Sequence, residues 1–200
     1  MLDKATLKKF ISKANQWREQ FCVRKYANNC FHDHQTTWNE QAKDGLYKTD
    51  DEAIKNSCKY TNFWSIVLPS LQHGWILSVA RLLDHASFGK NKKNLSIDYI
   101  IEWLKDENLK QDMKDMLCRQ EEFITSVKTL RNTFLAHNDI WVNDNKMISG
   151  GVEFFFEDLD TMIKKIKAQD QALQDCNNLN LEFTEKLSET WLKEIFEKIA

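Results

Sequence analysis

The sequence has one proline and five glycines among its 200 residues, few for a chain of this length. Folds built on β-sheets place these two residue types at their many turns, so their scarcity argues against all-β and α/β folds. Lys, Glu, Asp, Gln and Leu are abundant instead. The composition therefore predicts an all-α fold.

The chain also lacks an excess of charge of either sign and an uninterrupted apolar run. Its formal net charge is −2 although 29% of its residues are charged, so a polyanion would have to be met by a local patch. The longest apolar stretch, 63–83, is interrupted by polar residues and a proline, and no apolar segment follows the charges at the N-terminus. We predict neither contact with a membrane nor a secretory signal.

The cysteines show no closely spaced pairs. They lie at Cys22, Cys30, Cys58, Cys118 and Cys176. An odd, scattered set is typical of reduced thiols, so we expect a cytoplasmic protein. With 42% apolar residues the chain can fill one core, or at most two, and we predict a single domain over 1–200.

Apolar residues recur at three- and four-residue steps in several segments, which is the spacing of amphipathic helices. This spacing predicts helices over about 3–28, 159–173 and 183–199, and a short helix that Ser96 caps and that ends near Lys105. Residues 29–49 have little periodicity and predict a polar loop with a short helix near Trp38. Turn residues between 143 and 151 predict a short β-hairpin near 141–155.

Two longer helices are predicted at the centre of an antiparallel bundle. From about 50 to 86, apolar residues cover nearly every side, which predicts a buried helix that Pro69 kinks or restarts. Its polar residues follow one narrow stripe that needs a polar partner: Ser70, His73, Gly74, Ser78, Arg81, Asp84 and His85. The second helix, over about 110–138, keeps one apolar face throughout.

The second of these helices ends in Leu-Arg-Asn-Thr-Phe-Leu-Ala-His, residues 130–137. An Arg followed by a polar residue, a short spacer and a His at a helix end resembles the motif of the HEPN superfamily, with Arg131, Asn132 and His137 in the matching places. Together with Trp64 and residues 79–84, the segment resembles the AbiU-type abortive-infection branch of that superfamily. The likeness covers about the central two thirds of the chain.

This resemblance implies a HEPN-like bundle with N- and C-terminal helical extensions. Such a protein forms a homodimer and cleaves RNA at a composite site on the two-fold axis, without a metal or other cofactor. Attack by a ribose 2′-hydroxyl needs a base, an acid and a positive group at the phosphate. Two copies of His137 would act as base and acid, Arg131 would bind the phosphate, and Asn132 would orient the phosphate or His137.

One point of geometry complicates this site. Arg131 and His137 are six residues apart, so they lie about 120° apart around an ideal helix and about 9 Å apart along its axis. They do not share a face. A frayed last turn, the length of the Arg side chain or contact across two subunits would have to bring them to one phosphate.

Other residues are candidates to support the site. Arg81 and Asp84 could fix Arg131 or His137 if the two central helices pack side by side; an ordinary ion pair between Arg81 and Asp84 is the simpler reading. Asn138 and Asp139, which follow the motif, are candidates for the same supporting role.

A few residues outside the motif are candidates for direct binding. The turn lysines Lys90, Lys92 and Lys93, and Trp141 beyond the motif, are candidates to contact RNA. Every second position from 30 to 34 carries a possible zinc ligand: Cys30, His32 and His34. No fourth ligand stands at an ordinary spacing from them, so we predict no metal there.

Three functions are compatible with these patterns. The first is a toxin or antiphage effector that cuts RNA, for which an antitoxin or regulatory protein would be a partner. The second is a non-catalytic HEPN-like dimer that binds RNA, a nucleotide or a protein, and the third is a structural interaction module. The presence of both Arg131 and His137 favours the first, because a protein that only binds has no need of a proton shuttle.

Overall fold

Helices make up most of the structure. The computed structural model describes residues 2–43, 50–88, 92–137, 145–179, 181, 190, 193 and 194. The α-helices in these ranges are α1 (Lys4–Lys43), α2 (Asp50–Leu82), α3 (Ile97–Trp103), α4 (Glu107–Arg119), α5 (Glu121–His137) and α6 (Asn145–Gln169). Between α2 and α3, strands β1 (Ser87–Phe88) and β2 (Lys92–Lys93) form a short antiparallel pair, and a 3-10 turn (Gln171–Leu173) follows α6. The predicted all-α fold is confirmed.

The two longest helices, α1 and α2, form an antiparallel pair. Phe21 contacts Trp75, Arg24 donates a hydrogen bond to Gln72, and Phe31 contacts Trp64, so rising numbers in one helix meet falling numbers in the other. The predicted end of the first helix at residue 28 is wrong, because α1 continues to Lys43. No proline or glycine interrupts residues 29–43, and Phe31 packs against Trp64, so polar residues continue the helix there instead of forming a loop.

The predicted central helix is one helix, Asp50–Leu82, so the predicted restart at Pro69 is wrong and the helix ends four residues before the predicted residue 86. Its second half is buried, with Trp75, Ile76 and Val79 at 2% exposure or less. Burial on every side is wrong around Ile66, which is 69% exposed. A smaller apolar cluster around Ala27 and Trp64, built from α1 and α2, covers residues 63–71 on one side.

The predicted long helix over 110–138 is two helices. Asp106 caps α4 by accepting hydrogen bonds from the backbone N–H groups of Asn108 and Leu109. At Gln120 the backbone turns to φ −96° and ψ 13°, and the Gln120 side chain donates to Asp158 of α6 at 2.8 Å. The apolar stripe stays in register across this joint, which explains why the sequence pattern reads as one helix.

The predicted β-hairpin is wrong for residues 145–155, which belong to α6. Gly151, one of the glycines that suggested a turn, serves helix packing instead, because it lies against the ring of Phe123 on α5. The predicted helix over 159–173 corresponds to the second half of α6 and the 3-10 turn, with Leu159, Ile163 and Leu173 buried. Residues 141–144 and most of the predicted helix over 183–199 lie outside the described residues.

The main apolar core draws on all six of these helices. Ser96 caps α3 as predicted, accepting from the Tyr99 N–H, and Ile97, Ile100 and Ile101 of α3 are buried in the core. The end of α2, the start of α3 and the face of α5 therefore meet around one core. Among the described helices, none is long and apolar enough to cross a lipid bilayer.

Candidate active site

Helix α5 positions the motif by burying its apolar stripe. Phe123, Val127 and Leu130 lie in the main core, where each such side chain contributes roughly 1.5–3 kcal/mol. Because Arg131 follows Leu130 by ~100° around the helix, it emerges at the edge of the core and is half-buried, while Asn132 is exposed. The helix continues to His137, whose side chain lies outside the described part of the structure.

Arg131 is held by an ion pair with Asp84. The Arg131 Nη1 atom lies 2.6 Å from Asp84 Oδ1, and the two side chains are 28% and 33% exposed. On its other edge Arg131 Nε donates to Asn132 Oδ1 at 3.4 Å. Asp84 stands two residues beyond the end of α2, so the pair links the end of the buried helix to the motif helix.

Of the other candidate supporting residues, Arg81 lies in the described part of the structure. Arg81, in the last turn of α2, is exposed and makes no hydrogen bond or ion pair with another described residue. The simpler reading of an ion pair between Arg81 and Asp84 is therefore wrong, since the carboxylate is paired with Arg131. Asn138 and Asp139 lie outside the described residues.

The RNA-contact candidates are described only in part. Lys93 is exposed, and its ammonium lies 5.1 Å from the ring centre of Trp103 and 5.9 Å from that of Tyr99. A cation over aromatic rings is fixed in place and remains accessible to a phosphate. Lys92 belongs to β2, its side chain lies outside the described part, and Lys90 and Trp141 are also outside it.

A cleft of about 310 Å³ lies between the end of α2 and helices α3, α4 and α5. Leu83, Leu117 and Ile124 line its apolar part. Its charged and polar part is lined by His85, Asp98, Cys118, Glu121 and Lys128. His85 is the chain neighbour of Asp84, and Lys128 precedes Arg131 by almost one helical turn, so residues that line the cleft flank the ion pair, although Asp84 and Arg131 do not line it themselves.

No protein-family model, curated protein or solved structure matches the chain. The resemblance to HEPN proteins therefore depends on Arg131, Asn132 and His137 and on their place at the end of a helix.

Three residues of this region were not predicted from the sequence to have a role: His85, Asp98 and Lys128. His85 was visible only as a member of the polar stripe that ends α2. Asp98 stands in the first turn of α3, two residues after a cap, where an acidic residue is ordinary. Lys128 precedes Arg131 by three positions, a spacing that places two basic side chains near one another on a helix.

Other parts of the structure show no comparable arrangement. The suggested zinc residues Cys30 and His32 lie on α1, and burial raises the pKa of the Cys30 thiol, which opposes the thiolate that a metal needs. Within the described ranges, no three His, Cys, Asp or Glu side chains are grouped to hold a metal ion. A polar groove of about 460 Å³ runs along α1 near Lys8, Glu19 and Asn177, and none of the candidate residues lines it.

Proposed function

We propose that the chain is a metal-independent endoribonuclease that acts as a homodimer. The observation that carries this proposal is the half-buried guanidinium of Arg131, held at 2.6 Å by Asp84 beside an open cleft. A fixed arginine at the edge of a cleft suits a phosphodiester, because its planar fork can donate to two phosphate oxygens at once.

In this mechanism Arg131 stabilises the negative charge that builds up on phosphorus during attack by the 2′-hydroxyl. Asp84 engages one terminal nitrogen of the guanidinium and fixes its plane, which lowers the cost of ordering the side chain when the phosphate binds. Asn132 would donate its amide to the phosphate or to His137. The negative charge of Asp84 weakens the local positive potential, and Lys128 on the same helix offsets that effect.

His137 is the proposed proton-transfer residue. It stands at the C-terminus of α5, where the helix dipole favours a protonated imidazole, so it suits the acid that donates to the leaving 5′-oxygen. One imidazole does not serve as base and acid in the same step. A dimer supplies a second copy of His137, which is the reason to propose a two-fold site.

RNA cleavage of this type fits a toxin or an antiphage effector, whose activity has to be restrained in its own cell. An antitoxin or regulatory protein that covers Arg131 would provide that restraint. The alternative is a non-catalytic dimer that binds RNA, a nucleotide or a protein and uses Arg131 only to bind an anion.

The experiment is to incubate purified protein with total RNA in excess EDTA. We expect cleavage that leaves 2′,3′-cyclic phosphate ends and that falls by about 10²-fold or more in Arg131→Ala and in His137→Ala. Arg119→Ala, at the exposed end of α4, is the matched arginine control and should cut like the wild type.

Two results would contradict the proposal: cleavage that EDTA abolishes, or cleavage that is unchanged in His137→Ala. If no variant cuts RNA and Arg131→Ala still weakens RNA binding, the non-catalytic binding protein is the correct function.

A further inference from the structure

His85 is an exposed histidine on an unusually fixed backbone. Its side chain is 91% exposed, yet its carbonyl oxygen accepts a hydrogen bond from Asn94 Nδ2 at 3.1 Å. The next residue, Ala86, donates its N–H to Asp98 Oδ2 at 3.2 Å and accepts from the Asn94 N–H at 2.8 Å. An imidazole carried by such a backbone is positioned without being buried.

Asp98 is placed to orient this imidazole. Its Oδ2 atom lies 3.5 Å from His85 Nδ1, and the same oxygen accepts the Ala86 N–H, so the carboxylate cannot turn away without losing that bond. A carboxylate at Nδ1 favours the tautomer with a proton on Nδ1 and leaves Nε2 able to accept one.

The residues that line the cleft show which side of α5 His85 lies against, and Arg131 is on that side. Ile124 and Lys128 of α5 line the cleft together with His85. Around the axis of α5, Arg131 lies about 20° from Ile124 and about 60° from Lys128. His137 lies about 120° from Arg131, because α5 is helical to its last residue. His85 therefore lies against the side of α5 that carries Arg131, whereas the backbone position of His137 is on a different side of the helix.

We propose that His85, oriented by Asp98, is the general base of the ribonuclease reaction. This inference rests on the proposed ribonuclease activity at the same site; it replaces the second copy of His137 as the base and keeps His137 as the acid. His85 Nε2 takes the proton of the 2′-hydroxyl as the 2′-oxygen bonds to phosphorus. The bond from phosphorus to the 5′-oxygen breaks, and that oxygen takes a proton from the imidazolium of His137. The products are a 2′,3′-cyclic phosphate and a 5′-hydroxyl end, and the two histidines have exchanged protonation states.

Other titratable groups share the cleft with His85. Asp98, Glu121 and Lys128 line it, Cys118 stands on α4, and Asp84 precedes His85 in the chain. Glu121 and Asp98 are carboxylates that could also accept a proton, so the test has to separate His85 from its neighbours by the step that fails and not by loss of activity alone.

The test uses two oligoribonucleotides that span a mapped cleavage site, one with oxygen and one with sulfur at the bridging 5′ position. A thiolate leaves without help from an acid, so sulfur rescues the loss of the acid but not the loss of the base. We expect His85→Gln to cut both substrates about 10²-fold more slowly than the wild type. His137→Ala should be slow on the oxygen substrate and close to the wild type on the sulfur substrate.

His32→Gln, which changes an exposed histidine of α1, is the matched control and should cut both substrates normally. The inference is overturned if His85→Gln cuts at the wild-type rate. It is also overturned if His85→Gln cuts the sulfur substrate at the wild-type rate, because His85 would then be the acid. Those outcomes leave the ribonuclease proposal intact. A wild-type chain that cuts neither substrate overturns both.

Asp98 is proposed as a positioning residue. Asp98→Asn keeps an oxygen that can accept the Ala86 N–H and removes the charge beside His85. We expect kcat to fall about tenfold with KM unchanged, since Asp98 acts on the transition state through His85. A change in KM with kcat unchanged, or a normal rate, contradicts this role.

Discussion

Arg131 and Asp84 form an ion pair between segments that are 47 residues apart in the sequence. Both side chains keep about a third of their surface in contact with solvent, so water screens part of the attraction. The gain in stability is therefore small, while the gain in order is larger, because the pair fixes a long side chain that would otherwise sample many rotamers.

We expect a double-mutant cycle to show this modest coupling. Asp84→Asn and Arg131→Gln should each lower the free energy of unfolding, and the double variant should lower it by less than the sum, with a coupling energy of about 0.5–1 kcal/mol. The four free energies come from urea denaturation followed by circular dichroism. Additive effects within about 0.3 kcal/mol would mean that the pair does not stabilise the fold.

Individual contacts of the site were predictable to different degrees. Asp84 could be proposed beside Arg131, because a polar stripe on an apolar helix requires a polar neighbour. The approach of Asp98 to His85 could not, since it depends on how α3 is anchored by Asn94 and Ser96, and nothing in the spacing of those residues gives a distance. Whether Arg131, Asn132 and His137 catalyse a reaction stays a prediction.

Helices α5 and α6 pack closely where Gly151 meets Phe123. A Cβ atom at Gly151 would lie 2.9 Å from Cδ2 and 3.3 Å from Cβ of Phe123, so either the Phe123 side chain or the helices would have to shift. Gly74 in α2 is different, because a Cβ atom there would have no neighbour within 4 Å. Gly74 and Gly151 therefore form a matched pair for a stability test.

We expect Gly151→Ala and Gly74→Ala to change stability in opposite directions. Gly74→Ala should raise the free energy of unfolding by about 0.5–1 kcal/mol, because alanine is the better helix former. Gly151→Ala should lower it by about 1 kcal/mol or more, since the overpacking against a buried ring outweighs that gain. Urea denaturation of both variants measures the difference, and a stabilised Gly151→Ala would show that Phe123 can move aside.

At the level of elements, the sequence predicted the helices that bury apolar stripes and misjudged where they end. The stripe of α4 and α5 is in phase across Gln120, so no break in periodicity marks the joint. The region around Gly150 and Gly151 has the composition of a turn, yet small residues also permit close helix contacts, and only the neighbouring Phe123 distinguishes the two. Within residues 29–43 of α1, Cys30 and Phe31 pack against the cluster around Ala27 and Trp64, and two neighbouring positions do not give the sequence a helical stripe.

Over the whole molecule, the apolar core is distributed unevenly. The main core gathers side chains from all six of the helices described above, whereas the middle of the α1–α2 pair has only a second, smaller cluster around Ala27 and Trp64. The proposed active site belongs to the main core, where α2, α3 and α5 converge. The main core therefore sets its geometry, and the homodimer proposed above would have to place its two-fold axis near this convergence.

Mixing variant chains would show whether the two proposed imidazoles come from one subunit or from two. His85→Gln and His137→Ala chains are each expected to be inactive alone. If His137 of one subunit serves the cleft of the other, random mixing makes half of the dimers hybrid, and each hybrid keeps one intact site of two. About a quarter of the wild-type activity should then return. If both histidines serve their own chain, no activity returns, because every site in the hybrid lacks one of them. Full activity of His85→Gln alone would instead favour the arrangement in which two copies of His137 face one another.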